Sequence, residues 1–139
     1  MRAAPMLILL FVMSACSRAD EAPEAYVTVD VQEAEEALVV MVTLENIGED
    51  PIRLDFRDGQ MLDFHIVNAG QEVIYSYGDD RMFTQALETV LLQPGETKEF
   101  REEAGVSVEE AAEIQVSIPA ETTEGVEAEA LRTTKELTF

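Results

Sequence analysis

The chain of 139 residues carries 29 Asp and Glu against nine Lys and Arg, a formal net charge of -20, with one histidine and one cysteine. A field of that sign repels phosphate backbones and anionic membrane surfaces, which excludes nucleic acid as a partner. A lone cysteine excludes an internal disulfide, while the length suffices for one domain burying roughly two thirds of its unfolded surface.

Arg2 precedes a short apolar block, Met6 to Met13, which falls short of the roughly 20 residues of a membrane-spanning helix and reads as a secretion signal. The block ends in Met13-Ser14-Ala15-Cys16, which resembles the signal of bacterial lipoproteins, with Met13 where leucine is more usual. That resemblance implies cleavage before Cys16 and multiple acylation of its thiol and amine. Two or more acyl chains hold a protein stably to a membrane where one does not. Ser17 in the second mature position suits sorting to an outer membrane, if the host has one. The expected organisation is a signal peptide over 1–15, a flexible tether over 16–25 and a single domain over 26–139. The tether expectation comes from Pro23 and the lack of any apolar period in its neighbours.

Within the domain, large apolar residues fall on every second position, the period of a strand with one dry face. Val27, Val29 and Val31 form a first set, and Leu38, Val40, Val42 and Leu44 a second over Ala37 to Asn46. Ile52, Leu54 and Phe56 make a third, after a Gly48 to Pro51 turn in which glycine is expected to take positive φ. Arg57-Asp58-Gly59-Gln60 reads as a hairpin loop before Leu62, Phe64 and Ile66, and Ala69-Gly70-Gln71 as another. A fifth strand over Glu72 to Tyr77 places Val73, Tyr75 and Tyr77 on one face. Arg81 to Gln85 is irregular. Ala86 to Leu92 resumes as a strand of mixed parity, and Gln93-Pro94-Gly95-Glu96 has the residues of a type II turn. Thr97 to Glu102 returns with Phe100 inward.

Farther on, Ser107 with Glu110 has the spacing of a capping box and predicts one helical turn. Ile114, Val116 and Ile118 alternate in a strand stopped by Pro119, Glu121 to Glu129 reads as an acidic loop, and Leu131 to Phe139 as a weaker closing strand interrupted by Lys135. About eight or nine short strands with turn signals at this spacing predict an all-β fold, an antiparallel immunoglobulin-like β-sandwich preceded by a signal peptide.

The run Val42-Thr43-Leu44-Glu45-Asn46, the turn to Pro51, Leu54-Asp55-Phe56, Asp63-Phe64, Tyr77, Phe83-Thr84-Gln85 and Leu92-Gln93-Pro94-Gly95-Glu96 resemble, in order and spacing, the intracellular proteinase inhibitor (BsuPI) domain. The resemblance covers the chain from Val40 to Phe100. It departs where the family has Trp-Ser and this chain has Tyr77-Gly78, and where a lipoprotein leader replaces an intracellular address. It implies an immunoglobulin-like fold and inhibition of a serine proteinase. A sandwich hosts many functions, and the alternative is a recognition or assembly module of the cell envelope. The expected partners are a serine proteinase or another envelope protein, with the membrane reached through the lipid on Cys16 alone.

Inhibition needs an exposed segment held extended by a rigid scaffold, so that little entropy is lost on docking. Gly78 to Gln85 is the candidate, with Asp79, Asp80, Arg81 and Met82 as the partner-binding residues and Arg81-Met82 as specificity residue and neighbour. Asp58-Gly59 and Pro94-Gly95 read as turns only. The single histidine, His65, alternates with inward Phe64 and Ile66 and so points outward beside Asp63. No nucleophile, base and orienting group are legible together, so no enzyme is expected. Cys16 is taken by lipid and no zinc ligand set remains. Asp79-Asp80, Glu49-Asp50 and Glu109-Glu110 are adjacent pairs and lack the spacing of a calcium loop. No cofactor is expected.

Overall fold

The computed structural model describes residues 24–79 and 81–139. The expected signal peptide, Cys16 and most of the tether lie outside them. The described chain is an antiparallel β-sandwich of ten strands. They are β1 (Ala25–Ala34), β2 (Ala37–Asn46), β3 (Ile52–Phe56), β4 (Asp63–Val67), β5 (Val73–Ser76), β6 (Glu88–Leu92), β7 (Thr97–Ala104), β8 (Glu113–Ser117), β9 (Thr122–Glu124) and β10 (Arg132–Glu136). One layer has the order β1-β2-β7, the other β10-β8-β4-β5, and a short sheet β6-β3-β9 completes the fold.

The expected dry faces are the core. Leu38, Val40, Val42 and Leu44 of β2 are buried against Phe64 and Ile66 of β4 and Ile114 and Val116 of β8. In β6 the mixed parity resolves: Leu92 is buried and Val90 half-buried, opposite Ile52 and Leu54, while Leu87 and Leu91 stand in solvent. Lys135 sits on the inward parity of β10, opposite Ile114, but at the sheet edge. Its stem lies along the rim and Nζ reaches the Val29 carbonyl of β1 at 3.4 Å and Asp30 at 3.9 Å. The interruption in the apolar pattern is thus an edge closure.

Several local expectations are corrected. Gly48 does not take positive φ; that conformation belongs to Gly95 and Gly125 among the glycines, and to Glu36 and Gln71. Gly48 is instead held close to the chain entering β1, its N–H and that of Ile47 both donating to the Glu24 carbonyl. The Arg57 to Gln60 segment is no hairpin, because β3 and β4 belong to different sheets and the chain crosses between layers there. Val73 does not share the face of Tyr75 and Tyr77: a register shift at Ile66/Val67 turns it outward, leaving it 56% exposed. The capping box does not form. Ser107 Oγ accepts from the Glu109 N–H at 3.2 Å within a simple turn. The acidic loop contains β9 and a 3-10 turn over Ala128–Leu131, since Thr122 and Thr123 find partners on β3. The Pro94-Gly95 turn is as expected, with φ 82 at Gly95 and the Glu96 N–H donating to the Gln93 carbonyl at 2.9 Å.

The ladder β2/β7 ends at Glu45↔Thr97 and the ladder β3/β6 begins at Ile52↔Leu92, so one two-stranded ribbon is broken at a corner. Asn46 fills the break and is fully buried. Its Nδ2 donates to the carbonyls of Asp50 and Leu92, both at 2.9 Å, and its Oδ1 accepts from the Gly48 N–H at 3.0 Å. Its own N–H donates to Glu96 O and its carbonyl accepts from the Gly95 N–H. Removing the amide leaves the Asp50 and Leu92 carbonyls without their donor, while the Gly48 N–H keeps the Glu24 carbonyl, and an unsatisfied buried polar group costs about 1–3 kcal/mol. Asn46→Ala is therefore expected to lower stability by about 3 kcal/mol, read as a fall in the urea midpoint at constant slope.

On the outer face of the short sheet, Asp55 of β3 accepts from Thr89 Oγ1 of β6 at 2.7 Å, Thr122 Oγ1 of β9 at 3.1 Å and Arg53 Nε at 3.2 Å. The Thr89 bond above all, then those from Thr122 and Arg53, holds its carboxyl below the ordinary value of 3.8. A depressed carboxylate stabilises the fold above its unfolded pKa, and that contribution disappears as pH falls through the folded one. The stability gap between wild type and Asp55→Ala should thus be full at pH 6 and shrink below pH about 4. A gap that stays constant down to pH 2 would contradict this.

Candidate functional site

After β5 the chain turns at Gly78-Asp79 and crosses as irregular backbone to β6. This is the segment expected to meet a partner. The structure anchors it from both layers. Tyr77 is buried at the end of β5, its ring 5.1 Å from that of Phe64 and 6.0 Å from Phe83. Its hydroxyl donates to Glu102 Oε1 of β7 at 3.1 Å. Burial first, then the charge and hydrogen bond of Glu102, pushes its phenol above the ordinary value of 10.0.

Arg81 lies over Tyr77, with Cζ 4.3 Å from the ring centroid and Nη2 3.1 Å from Glu102 Oε2. Its side chain is two thirds covered, and among the described residues its Nε is buried without a hydrogen-bond partner. Met82, next in sequence, is 100% exposed. Phe83 is half-buried against the core, and Thr84 gives its carbonyl to the Gly59 N–H at 2.8 Å. Asp79 is exposed, with its N–H donating to the Ser76 carbonyl at 3.2 Å. Asp80 lies outside the described residues. Of the candidate residues, then, Arg81 is drawn into the scaffold while Asp79 and Met82 face solvent. Gln85 is exposed.

The Asp58-Gly59 loop, read from sequence as a turn only, is the second wall of this site. Asp58 Oδ1 accepts from the Gln60 N–H at 2.9 Å, shaping the loop, and Gln60 Nε2 donates to the Leu62 carbonyl at 3.1 Å. A β-carbon on Gly59 would fall 2.5 Å from Thr84 Oγ1, so only glycine allows the two segments this close. Glu102 and Gly59 are the supports that sequence reasoning missed. A signal for the first was present: Glu102 occupies the inward parity of β7 with Lys98, Phe100 and Ala104, and a charge there requires a partner.

His65 faces outward from β4, as its parity predicts. Its Nδ1 lies 2.8 Å from Ser76 Oγ on β5 and its Nε2 3.6 Å from Asp63 Oδ2. The three lie on the outer face of the sheet, half-buried, with 39% of the His65 and 29% of the Asp63 side chain exposed. There they act as a cross-strand tie. Among the described residues no group of three or more His, Cys, Asp and Glu is placed to hold a metal ion, and no helix is long and apolar enough to cross a membrane.

Residues 25–123 match the family model described as intracellular proteinase inhibitor, BsuPI. The chain belongs to the BsuPI family. The match extends beyond the stretch legible by eye, from β1 to β9. No curated protein matches the sequence. Among solved structures, the fold resembles part of a penta-heme cytochrome c552 from Thermochromatium tepidum, at 10% identity and a TM-score of 0.52, over 82% of this chain and 40% of that one. The chain thus spans less than half the length of that protein, and the likeness is one of fold. A DUF1425 family member from Shewanella is similar at 11% identity and a TM-score of 0.46, over 72% of this chain and 81% of that one. The putative ApaA protein from Bordetella pertussis is similar at 13% identity and a TM-score of 0.42, over 84% and 89%.

Glu102 is the common anchor of Tyr77 and Arg81, so Glu102→Ala should release the segment more than it weakens the fold. The ion pair is partly solvent-screened, and a loss of about 1 kcal/mol is expected. Limited proteolysis should nevertheless cut between residues 79 and 85 markedly faster in the variant, with fragments identified by mass.

Proposed function

We propose that this BsuPI-family protein is a non-catalytic, lipid-anchored inhibitor of a serine proteinase at the cell envelope, and that residues 78–85 are the segment it places in the proteinase cleft. The observation that carries this reading is the bracing of that segment: Arg81 is tied to Glu102, Phe83 to the core and Thr84 to Gly59, with a freely exposed residue between. A chain already anchored at both ends loses little entropy on docking. The -20 net charge supports steering toward a basic rim and explains solubility without a further partner. The Cys16 leader supplies the address: acyl chains on its thiol and amine hold the domain to a membrane through the tether, which suits a proteinase acting in the same compartment.

A second reading is favoured by one observation. Strand β6 is a sheet edge paired only with β3 among the described residues, and Leu87 just before it and Leu91 within it are 80% and 58% exposed. An envelope partner could add a strand there, making the protein an assembly module.

The two readings separate in one experiment. The full chain is tested for slowing a panel of serine proteinases, beside a version with residues 79–85 replaced by a Gly-Ser linker of equal length. Inhibition by the first and at least about 100-fold loss in the second supports the inhibitor. No inhibition by either, with an envelope protein crosslinked through β6, supports the assembly module instead.

A further inference from the structure

The loop offers two neighbouring side chains that different classes of proteinase would read. A trypsin-like enzyme takes a long cation into a pocket with an acid at its floor, whereas an enzyme with a deep uncharged pocket takes an unbranched apolar chain. We infer that Met82, and not Arg81, is the side chain this protein delivers, and that its partner is a proteinase whose primary pocket is apolar and uncharged. This rests on the inhibitor reading above and specifies it.

In extended chain, successive side chains point to opposite sides. Arg81 and Phe83 both turn toward the domain, the first onto Tyr77 and Glu102 and the second against the core. The residue between them must point away, and Met82 does so with its whole surface in solvent. Arg81 cannot serve two masters. Withdrawing it into a foreign pocket would break the 3.1 Å pair with Glu102, uncover the face of Tyr77 and loosen the segment that has to stay rigid. Arg81 is therefore a positioning residue.

Met82 is suited to the other role. A thioether on three rotatable bonds fills a narrow apolar pocket without demanding a branched shape. Burial of Met82 in an apolar pocket of a partner would take its whole exposed surface out of water. The backbone on its far side is fixed as well, through Thr84 O and the Gly59 N–H at 2.8 Å, so the bond after Met82 is held on both flanks. A scissile bond so held is presented without being released: if the proteinase cuts it, adding water across the Met82–Phe83 amide, the anchors keep the new ends together.

The test uses the full chain and two probe enzymes, a chymotrypsin type with an apolar pocket and a trypsin type with an acidic one, and reads inhibition constants. Wild type is expected to hold the chymotrypsin type at least about 100-fold tighter, and Met82→Lys to reverse that preference by a similar factor. Because Met82 touches nothing in its own domain, folding is not at stake. Arg81→Gln should keep the preference for the apolar pocket but let the enzyme cut after Met82, seen as two fragments by mass, and Arg81→Lys should restore resistance by restoring the ion pair. Unchanged preference in Met82→Lys, or inhibition of the trypsin type by wild type that Arg81→Gln abolishes, overturns the assignment. If the loop replacement described above abolishes inhibition while Met82→Lys changes nothing, the inhibitor stands and Met82 falls. Inhibition confined to members of the panel with a charged pocket overturns the assignment of Met82, and failure of every version across the panel overturns both.

Discussion

A two-stranded ribbon that turns a corner gives up main-chain hydrogen bonds at the bend, and buried groups left unpaired there would cost more than the bend could return. Asn46 takes over those bonds. It carries a donor and an acceptor on one short side chain, and with its own peptide it satisfies groups of Gly48, Asp50, Leu92, Gly95 and Glu96 in a fully buried site. This is why the ribbon can leave the ladder β2/β7 and re-form as β3/β6. The strand order of the short sheet depends on that corner.

The loop itself shows how a sandwich holds irregular chain rigid. Two layers meet at an edge where Tyr77 of one and Glu102 of the other share a hydrogen bond, and Arg81 closes over both. The group is mostly covered, so its electrostatics are less screened than those of a surface pair, yet its geometry is set by the aromatic stack of Phe64, Tyr77 and Phe83. The neighbouring crossing between layers adds Gly59, whose missing β-carbon lets one loop lie on the other. The bracing comes from convergence of three elements on one segment, and no single contact would supply it.

Much of this fold was legible in the sequence because one wall of the central strands is dry. The boundaries of β2 and β3 follow from their alternation, and every member of the sets Leu38–Leu44 and Ile52–Phe56 on the inward parity is buried. The misreadings share a cause. Local turn and parity rules do not govern Gly48, Gly59 and Val73; contacts with Glu24 and Thr84 and the register shift in the β4/β5 ladder do. The residues of β9 are polar and carry no strand pattern of their own; what makes them a strand is the open edge of β3.

Alternation of apolar residues, the turn chemistry of Pro94-Gly95 and the family pattern fix an antiparallel sandwich from the sequence alone, since the period of a strand and the φ of a glycine are properties of neighbours along the chain. Which of two adjacent side chains in an irregular crossing faces water is no such property. Arg81 and Met82 are equal candidates on paper. Only the placement of Glu102 and Tyr77, brought up from β7 and β5 by the packing of two sheets, draws one inward and leaves the other in solvent.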